Sequence, residues 1–221
     1  MNTQSLSETE QVASFFEGYA SGFDSIYGHA EKRSGLQKLI DNLFRRTMFL
    51  RFRDTLEYTS NPSIESILDI GCGPGHYCVA FLKQRKKVVG LDLSEEMLKI
   101  ARQNIEELKM KGDVLFIKAD YLSYEFDTPF DAACLMGFFD YIKNPVDILS
   151  KLRKDVRKEI YASFPKGGGL LAAQRKVRYK MRHCPLYLYS KQDVTRMLKE
   201  AGMQKFEIKD CERDWFVRVI L

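Results

Sequence analysis

Between Ile67 and Tyr77 the chain reads Ile-Leu-Asp-Ile-Gly-Cys-Gly-Pro-Gly-His-Tyr, and its chemistry lies in one carboxylate and three alternating glycines. An apolar run ends at Asp69 and Ile70, then Gly71, Gly73 and Gly75 recur at every second position before helical spacing begins. That order predicts a strand, a tight turn and a helix N-terminus. Glycines so spaced reach backbone conformations closed to residues with a Cβ, and they let a ligand approach the main chain. Two more acids stand at predicted strand ends. Asp92 closes Val88-Val89-Gly90-Leu91, about 20 residues past the turn, where an acid accepts both hydroxyls of a ribose; a helix cap is the competing reading. Asp120 closes a strand of about 113–118. It can take the exocyclic amine of adenine, or it can serve an ordinary turn.

The ligand is narrowed by two mismatches with the dinucleotide fingerprint G-x-G-x-x-G, which delivers a pyrophosphate to a helix N-terminus. Counting from Gly71, the last glycine of that pattern is replaced by His76. Asp69 would also repel a pyrophosphate and attract a cation. S-adenosylmethionine carries an ammonium, a sulfonium and no phosphate, so the pattern favours it over a nicotinamide dinucleotide. Expected cofactor contacts are Asp69, Gly71, Gly73, Gly75, Asp92, Leu93, Met97, Asp120, Tyr121 and Met136.

A methyl acceptor would meet the strand end that follows Phe130–Leu135, where Met136-Gly137-Phe138-Phe139-Asp140-Tyr141 offers aromatic rings and an acid. Gly137 reads as a point of close backbone approach and Asp131 as a turn residue. If the acceptor is a hydroxyl, a general base helps, and the candidates are Tyr27, Asp140 and His183. His183 has the best-suited unperturbed pKa, yet a lone histidine beside Cys184 and Pro185 also reads as structural. The most basic window, Gln174 to His183, presents Arg175, Arg178 and Tyr179 as substrate contacts. It fits a clamp on a phosphate, a carboxylate or an RNA backbone, and equally a solvated helix face. The pattern Asn/Asp-Pro-Pro-Tyr of enzymes that methylate nucleobase amines is absent, which counts against that chemistry.

The elements that must carry these residues alternate. Residues 9–59 read as helical, in two segments. In the first, Phe15, Phe16, Tyr19, Phe23, Ile26 and Tyr27 recur at three- and four-residue steps. Tyr19 and Phe23 are placed to touch a substrate if this segment folds over the sheet edge as a lid; packing is the other reading. A second helix, about Ser34 to Tyr58, puts Leu36, Leu39, Ile40, Leu43, Phe44, Met48 and Leu56 inward and many arginines outward. Strands follow at about 65–70, 88–92, 113–118, 130–135 and 159–164, with helices between them, among them one capped by Ser94 with Glu95 and Glu96 in its first turn. A capped helix from Ser190 stops at Gly202, and Lys205–Lys209 with Trp215–Leu221 alternate as an antiparallel hairpin. The division expected is 1–60 as a helical cap or lid and 61–221 as one cofactor-binding domain.

Composition sets the outer limits. With 221 residues, 45% of them hydrophobic, the chain can bury one sizeable core. It has no run of about 18 apolar residues for a membrane span, and Met1 to Gln11 lacks the apolar core of a signal peptide. These point to a cytoplasmic protein without membrane insertion. Five cysteines with no C-x-x-C pair, and three scattered histidines, argue against disulfides and a metal site. A net charge of +5 suits an anionic substrate without demanding one.

Taken together, these landmarks resemble the class I S-adenosylmethionine-dependent methyltransferases over nearly all of 65–221. The carrying residues are Leu68 to Gly75, Val89 to Leu98, Asp120, Phe130-Asp131 and Glu200-Ala201-Gly202-Met203. The resemblance implies a Rossmann-like α/β fold with a seven-stranded, mainly parallel sheet whose last strand is antiparallel, helices on both faces and an N-terminal helical cap. Phe15 to Tyr19, Gly22 to Tyr27 and Ser163 to Lys166 look more narrowly like small-molecule O-methyltransferases of the magnesium-protoporphyrin and ubiquinone-pathway groups. In such enzymes an N-terminal tyrosine often lies over the cofactor, and Tyr27 matches it. The reading that follows is methyl transfer to a small anionic metabolite, with O-methylation favoured. An RNA or protein methyltransferase and a non-catalytic S-adenosylmethionine sensor are the alternatives. The acceptor, the methylated atom and the oligomeric state are left open by the sequence.

Overall fold

The computed structural model describes residues 35–181 and 184–221, with the side chains of residues 35–45 and of residue 171 left aside. The alternation read from the sequence holds. Helix α1 (Gly35–Thr59) leads into β1 (Ser66–Ile70), α2 (His76–Lys83), β2 (Lys87–Asp92), α3 (Glu95–Glu107), β3 (Val114–Lys118) and β4 (Phe130–Leu135). Then come α4 (Pro145–Asp155), β5 (Val156–Pro165), α5 (Gly169–Met181), α6 (Lys191–Glu200), β6 (Lys205–Cys211) and β7 (Asp214–Ile220).

The seven strands lie in the order β3-β2-β1-β4-β5-β7-β6. Six run one way; β7 alone is reversed, pairing antiparallel with β5 on one side and β6 on the other. Strand order turns round between β1 and β4, and the crevice outside the carboxyl ends at such a switch point is where open α/β sheets bind ligands. The hairpin turn between β6 and β7 reaches the same edge, because Asp214 at the start of β7 pairs with Pro165 at the end of β5.

Side chains alternate across the sheet and so build two cores. Leu68, Ile70, Ala133 and Leu135 meet Ile148, Leu149 and Leu152 of α4 and Val194 and Leu198 of α6. On the other face Ile67, Val88, Ala132 and Cys134 meet Cys78, Phe81 and Leu82 of α2, Leu98 of α3, and Leu56 of α1. The sequence signals for α3 are met in detail: Ser94 is its N-cap and accepts the Met97 N–H at 3.3 Å.

One expectation is corrected here. Asp131 is no turn residue; it is buried within β4 and accepts the N–H groups of Glu65 and Ser66 at 2.9 and 3.2 Å, with Arg157 and Lys158 as ion-pair partners. In α1, Arg51 faces inward to Ser163 and Asp214 and joins the helix to the sheet.

Candidate cofactor and acceptor site

At the end of β1 the chain stays tied to β2, since the N–H groups of Gly71 and Cys72 both donate to the Leu91 carbonyl, at 2.7 and 3.1 Å. Gly71, Gly73 and Gly75 then take positive φ values of 69°, 52° and 78°. Two of them have distinct jobs. A Cβ on Gly71 would stand 2.9 Å from the Phe138 ring, so the loop after β4 closes directly onto the turn; a Cβ on Gly73 would meet nothing within 4 Å. The space over Gly73 is the cradle that a ligand needs and a side chain would fill.

Asp92 lies under that cradle. Its Oδ2 accepts the Gly73 N–H at 2.8 Å and its Oδ1 accepts the Ser94 N–H at 2.9 Å. A carboxylate offers about four acceptor sites, so bracing the turn through these two N–H groups leaves Asp92 acceptor capacity for a ligand hydroxyl. Burial pushes its carboxyl up, against the pull of the Ser94, Gly73 and Leu93 N–H groups. Asp120 starts the short helical turn Tyr121–Ser123, accepting the Leu122 N–H at 3.3 Å, and the Ala119 N–H ties this strand end to the Asp92 carbonyl at 3.1 Å.

Asp69 occupies an unexpected environment. It is 2% exposed, below the turn, with the Cys78 thiol donating to it at 3.2 Å. Burial pushes its carboxyl up to about 7, with the thiols of Cys78 and Cys134 opposing and the Asp92 charge adding to the rise. It is sealed from the surface beneath the turn. Leu93 and Met136 are half-buried at the strand ends, while Met97 is packed in the core. The Tyr121 ring is buried and its hydroxyl donates to Asp155 at 2.8 Å, which leaves its main chain to a ligand.

The other half of the crevice is built from side chains far apart in sequence. Gly137 N–H donates to Ser163 Oγ at 2.8 Å, and Arg51 Nη1 reaches the same oxygen at 3.0 Å. Arg51 also holds Asp214 Oδ2 at 2.8 Å, Arg175 holds Asp214 Oδ1 at 3.0 Å, and Arg175 Nη2 closes the chain on Asp140 Oδ2. The loop after β4 is thereby fixed to α1, β5, β7 and α5. Asp140, expected as a base, is 5% exposed and ion-paired; burial pushes its carboxyl up and Arg175 pulls it back. Arg175, expected on a substrate, is 7% exposed and held by two carboxylates. Both brace the site from behind.

Tyr179 lies next to this brace, its hydroxyl 3.3 Å from that of Tyr141, and Arg178 stands over its ring at 5.5 Å. Burial and the Asp140 charge push the Tyr179 phenol up. The structure thus brings Arg178 and Tyr179 to the Asp140 loop, whereas Tyr19, Phe23, Tyr27 and His183 lie outside the described residues. Sequence reasoning missed Arg51, Ser163, Arg213 and Asp214. The one available signal was topological: a reversed last strand carries the Arg213-Asp214 turn to the carboxyl edge.

The chain carries a methyltransferase domain, since residues 67–159 match the family model described as "Methyltransferase domain", and its sheet has the strand order of the class I S-adenosylmethionine-dependent methyltransferase fold. Among solved structures, the chain is similar to magnesium protoporphyrin IX methyltransferase from Synechocystis with bound SAH, with a TM-score of 0.73, 18% identity and coverage of 97% of this chain and 99% of that one. It is 25% identical over 178 residues to an uncharacterized methyltransferase of Schizosaccharomyces pombe, covering 73% of this chain and 67% of the relative. It is 28% identical over 108 residues to the ubiquinone biosynthesis O-methyltransferase of Aliivibrio fischeri, covering 49% of this chain and 46% of the relative, so that match spans about half the relative's length. S-adenosylmethionine is the cofactor of the class, and the open Gly73 cradle, the spare acceptor sites of Asp92 and the sealed carboxylate of Asp69 fit it.

Proposed function

We propose that this chain transfers the methyl group of S-adenosylmethionine to an oxygen of a small anionic metabolite, in the cytoplasm. The observation that carries the reading is the Gly73 cradle, open above and held from below by Asp92, at the point where strand order reverses. Supporting it are the likeness to a magnesium protoporphyrin IX methyltransferase and to a ubiquinone biosynthesis O-methyltransferase, and the arginine-rich half of the crevice. The buried cysteines are all free thiols, in keeping with a reducing compartment. Among the described residues no helix is long and apolar enough to cross a membrane.

When bound, S-adenosylmethionine supplies a methyl carbon already activated by its sulfonium. The chain's own residues then align, exclude water and set charge. In this reading Asp92 keeps one lone pair on each oxygen for the ribose hydroxyls, and Asp120 takes the adenine amine. Asp69 places a negative charge beneath a cationic ligand. The loop from Met136 to Tyr141, pressed on the glycine turn by Phe138 and fixed by the Arg51-Asp214-Arg175-Asp140 chain, lines the acceptor's approach. Positioning of this kind lowers a barrier by about 7–11 kcal/mol.

An acceptor that is already an anion at its reacting oxygen needs no base. That suits a loop whose tyrosine hydroxyls are pushed up by burial and whose acid is ion-paired. The test is incorporation of labelled methyl from S-adenosylmethionine in cell extract. Label in the small-molecule fraction is expected. Label confined to RNA or protein would contradict the acceptor class, and binding without turnover would mark a sensor.

A further inference from the structure

Helix α5 presents two unlike faces. Its inward face is fixed to the rest of the fold: Ala172 and Arg175 are buried, and Arg175 bridges Asp140 and Asp214. Its outward face is apolar. Leu170 is 90% exposed, Val177 61% and Met181 77%, and Ala173 is exposed among them. At about 3.6 residues per turn these positions, spaced by three and four, fall on one stripe of the helix. Lys176 and Lys180, both exposed, border the stripe on one side, and the half-buried Arg178 borders it on the other. From Gly169 to Met181 the basic residues are Arg175, Lys176, Arg178 and Lys180, and there is no acid.

Apolar side chains left open to water are ordinary when scattered singly, whereas a contiguous stripe of them marks a surface that meets a partner. The chemistry of that partner is set by two demands at once. It must take up leucine, valine and methionine side chains, and it must be negative where the lysines reach. A second copy of this face meets the first demand and fails the second, because it brings like charges together. A nucleic acid backbone meets the second and offers nothing to the apolar stripe. A bilayer of anionic lipids meets both: the apolar side chains enter the boundary between headgroups and acyl chains, while the lysine stems lie along it with their ammonium groups among the phosphates. The chain's net charge of +5 favours a surface of the same sign. We propose that α5 docks this chain peripherally on an anionic lipid surface, by side chains alone and with no segment crossing the membrane. The Arg175 bridge makes the loop from Met136 to Tyr141 rigid with the docking helix, so docking brings the acceptor half of the crevice close to the headgroups. The inference does not depend on which molecule or atom the chain methylates.

The experiment mixes the full chain with vesicles of phosphatidylcholine alone, and of phosphatidylcholine with phosphatidylglycerol, and reads the bound fraction by flotation at low and high salt. The chain is expected to bind the anionic vesicles, to ignore the neutral ones and to lose affinity as salt rises. Lys176→Gln and Lys180→Gln are each expected to weaken binding about fivefold. Leu170→Gln combined with Met181→Gln is expected to weaken it about tenfold or more, with the melting temperature unchanged because both side chains stand in solvent. That double variant decides the matter, since it alters no charge and a purely electrostatic attraction would not register it. No binding to anionic vesicles, or equal binding by parent and double variant, overturns the proposal. A melting temperature that falls in the double variant shows the stripe covered by the chain itself and overturns it as well. A dimer that the double variant dissociates assigns the stripe to a second copy instead. RNA binding that Lys176→Gln weakens and the double variant leaves intact, with no vesicle binding, assigns the helix to a nucleic acid, and either result sinks the lipid reading.

Discussion

The two halves of the sheet's carboxyl edge are built by opposite means. On the β1-β2-β3 side the site is backbone: glycine N–H groups, a turn with positive φ, and single carboxylates at strand tips that take main-chain donors at 2.8 and 2.9 Å. On the β4-β5 side it is side chain: Arg51, Ser163, Asp214, Arg175 and Asp140 join in a buried chain whose partners lie 35 to 163 residues apart. The first half suits a ligand of fixed shape. The second is held together by buried charge pairs and is free to differ in the side chains it presents. Under the proposed function, specificity for the acceptor belongs to the second half and cofactor binding to the first.

The sharpest break between them is Asp214→Ala. It leaves Arg51 and Arg175 short of a buried counter-charge, and removing one partner of a buried pair costs roughly 3–5 kcal/mol. Thermal or urea unfolding should show a loss on that scale, and retained stability would mean that the arginine chain is not a brace.

Asp69 makes the next contrast. Its carboxyl is raised from 3.8 to about 7 in the folded protein, so the native state holds the proton more tightly than the unfolded chain. The stability this proton contributes is complete below pH 3.8 and is lost as pH rises through about 7; the full swing amounts to roughly 4 kcal/mol. Measured across that window, the ligand-free Asp69→Asn variant should gain stability over the parent as pH rises. Its affinity for S-adenosylmethionine should lose the rise with pH that the parent shows. Parallel stability profiles for the two proteins would remove Asp69 from the account.

Gly71→Ala tests the seam where the halves meet. The new Cβ would stand 2.9 Å from Phe138 at a φ of 69°, and a left-handed backbone alone costs a side chain roughly 1–2 kcal/mol. Cofactor affinity and turnover should both fall, because the strain falls on both halves. A smaller effect, about 1 kcal/mol from the lost helix cap, is expected in unfolding experiments for Ser94→Ala, which touches the first half alone.

The same division explains what the sequence could tell. Strand, glycine turn and the Ser94 cap were legible because each depends on neighbours a few residues away, as the Met97 N–H donating to Ser94 Oγ illustrates. Asp131 was misread because its partners, Glu65 and Ser66, lie at the start of the adjacent strand and just before it, more than sixty residues earlier in the chain. Arg51 looked like one arginine among several on a polar helix. Nothing local distinguishes it, since its partners Ser163 and Asp214 reach it only once the sheet is assembled. Arg175 and Asp140 were singled out for their chemistry, and burial turned both from ligand contacts into scaffolding.

The central claim is that Asp92 and the turn above it bind S-adenosylmethionine. Calorimetric titration of the parent and of Asp92→Ala with S-adenosylmethionine, and of the parent with NAD, tests it most directly. The account predicts one-to-one binding of S-adenosylmethionine by the parent, at least about tenfold weaker binding by the variant as charged hydrogen bonds to the ribose are lost, and no binding of NAD. Equal affinity in parent and variant, or a parent that binds NAD and not S-adenosylmethionine, would contradict it.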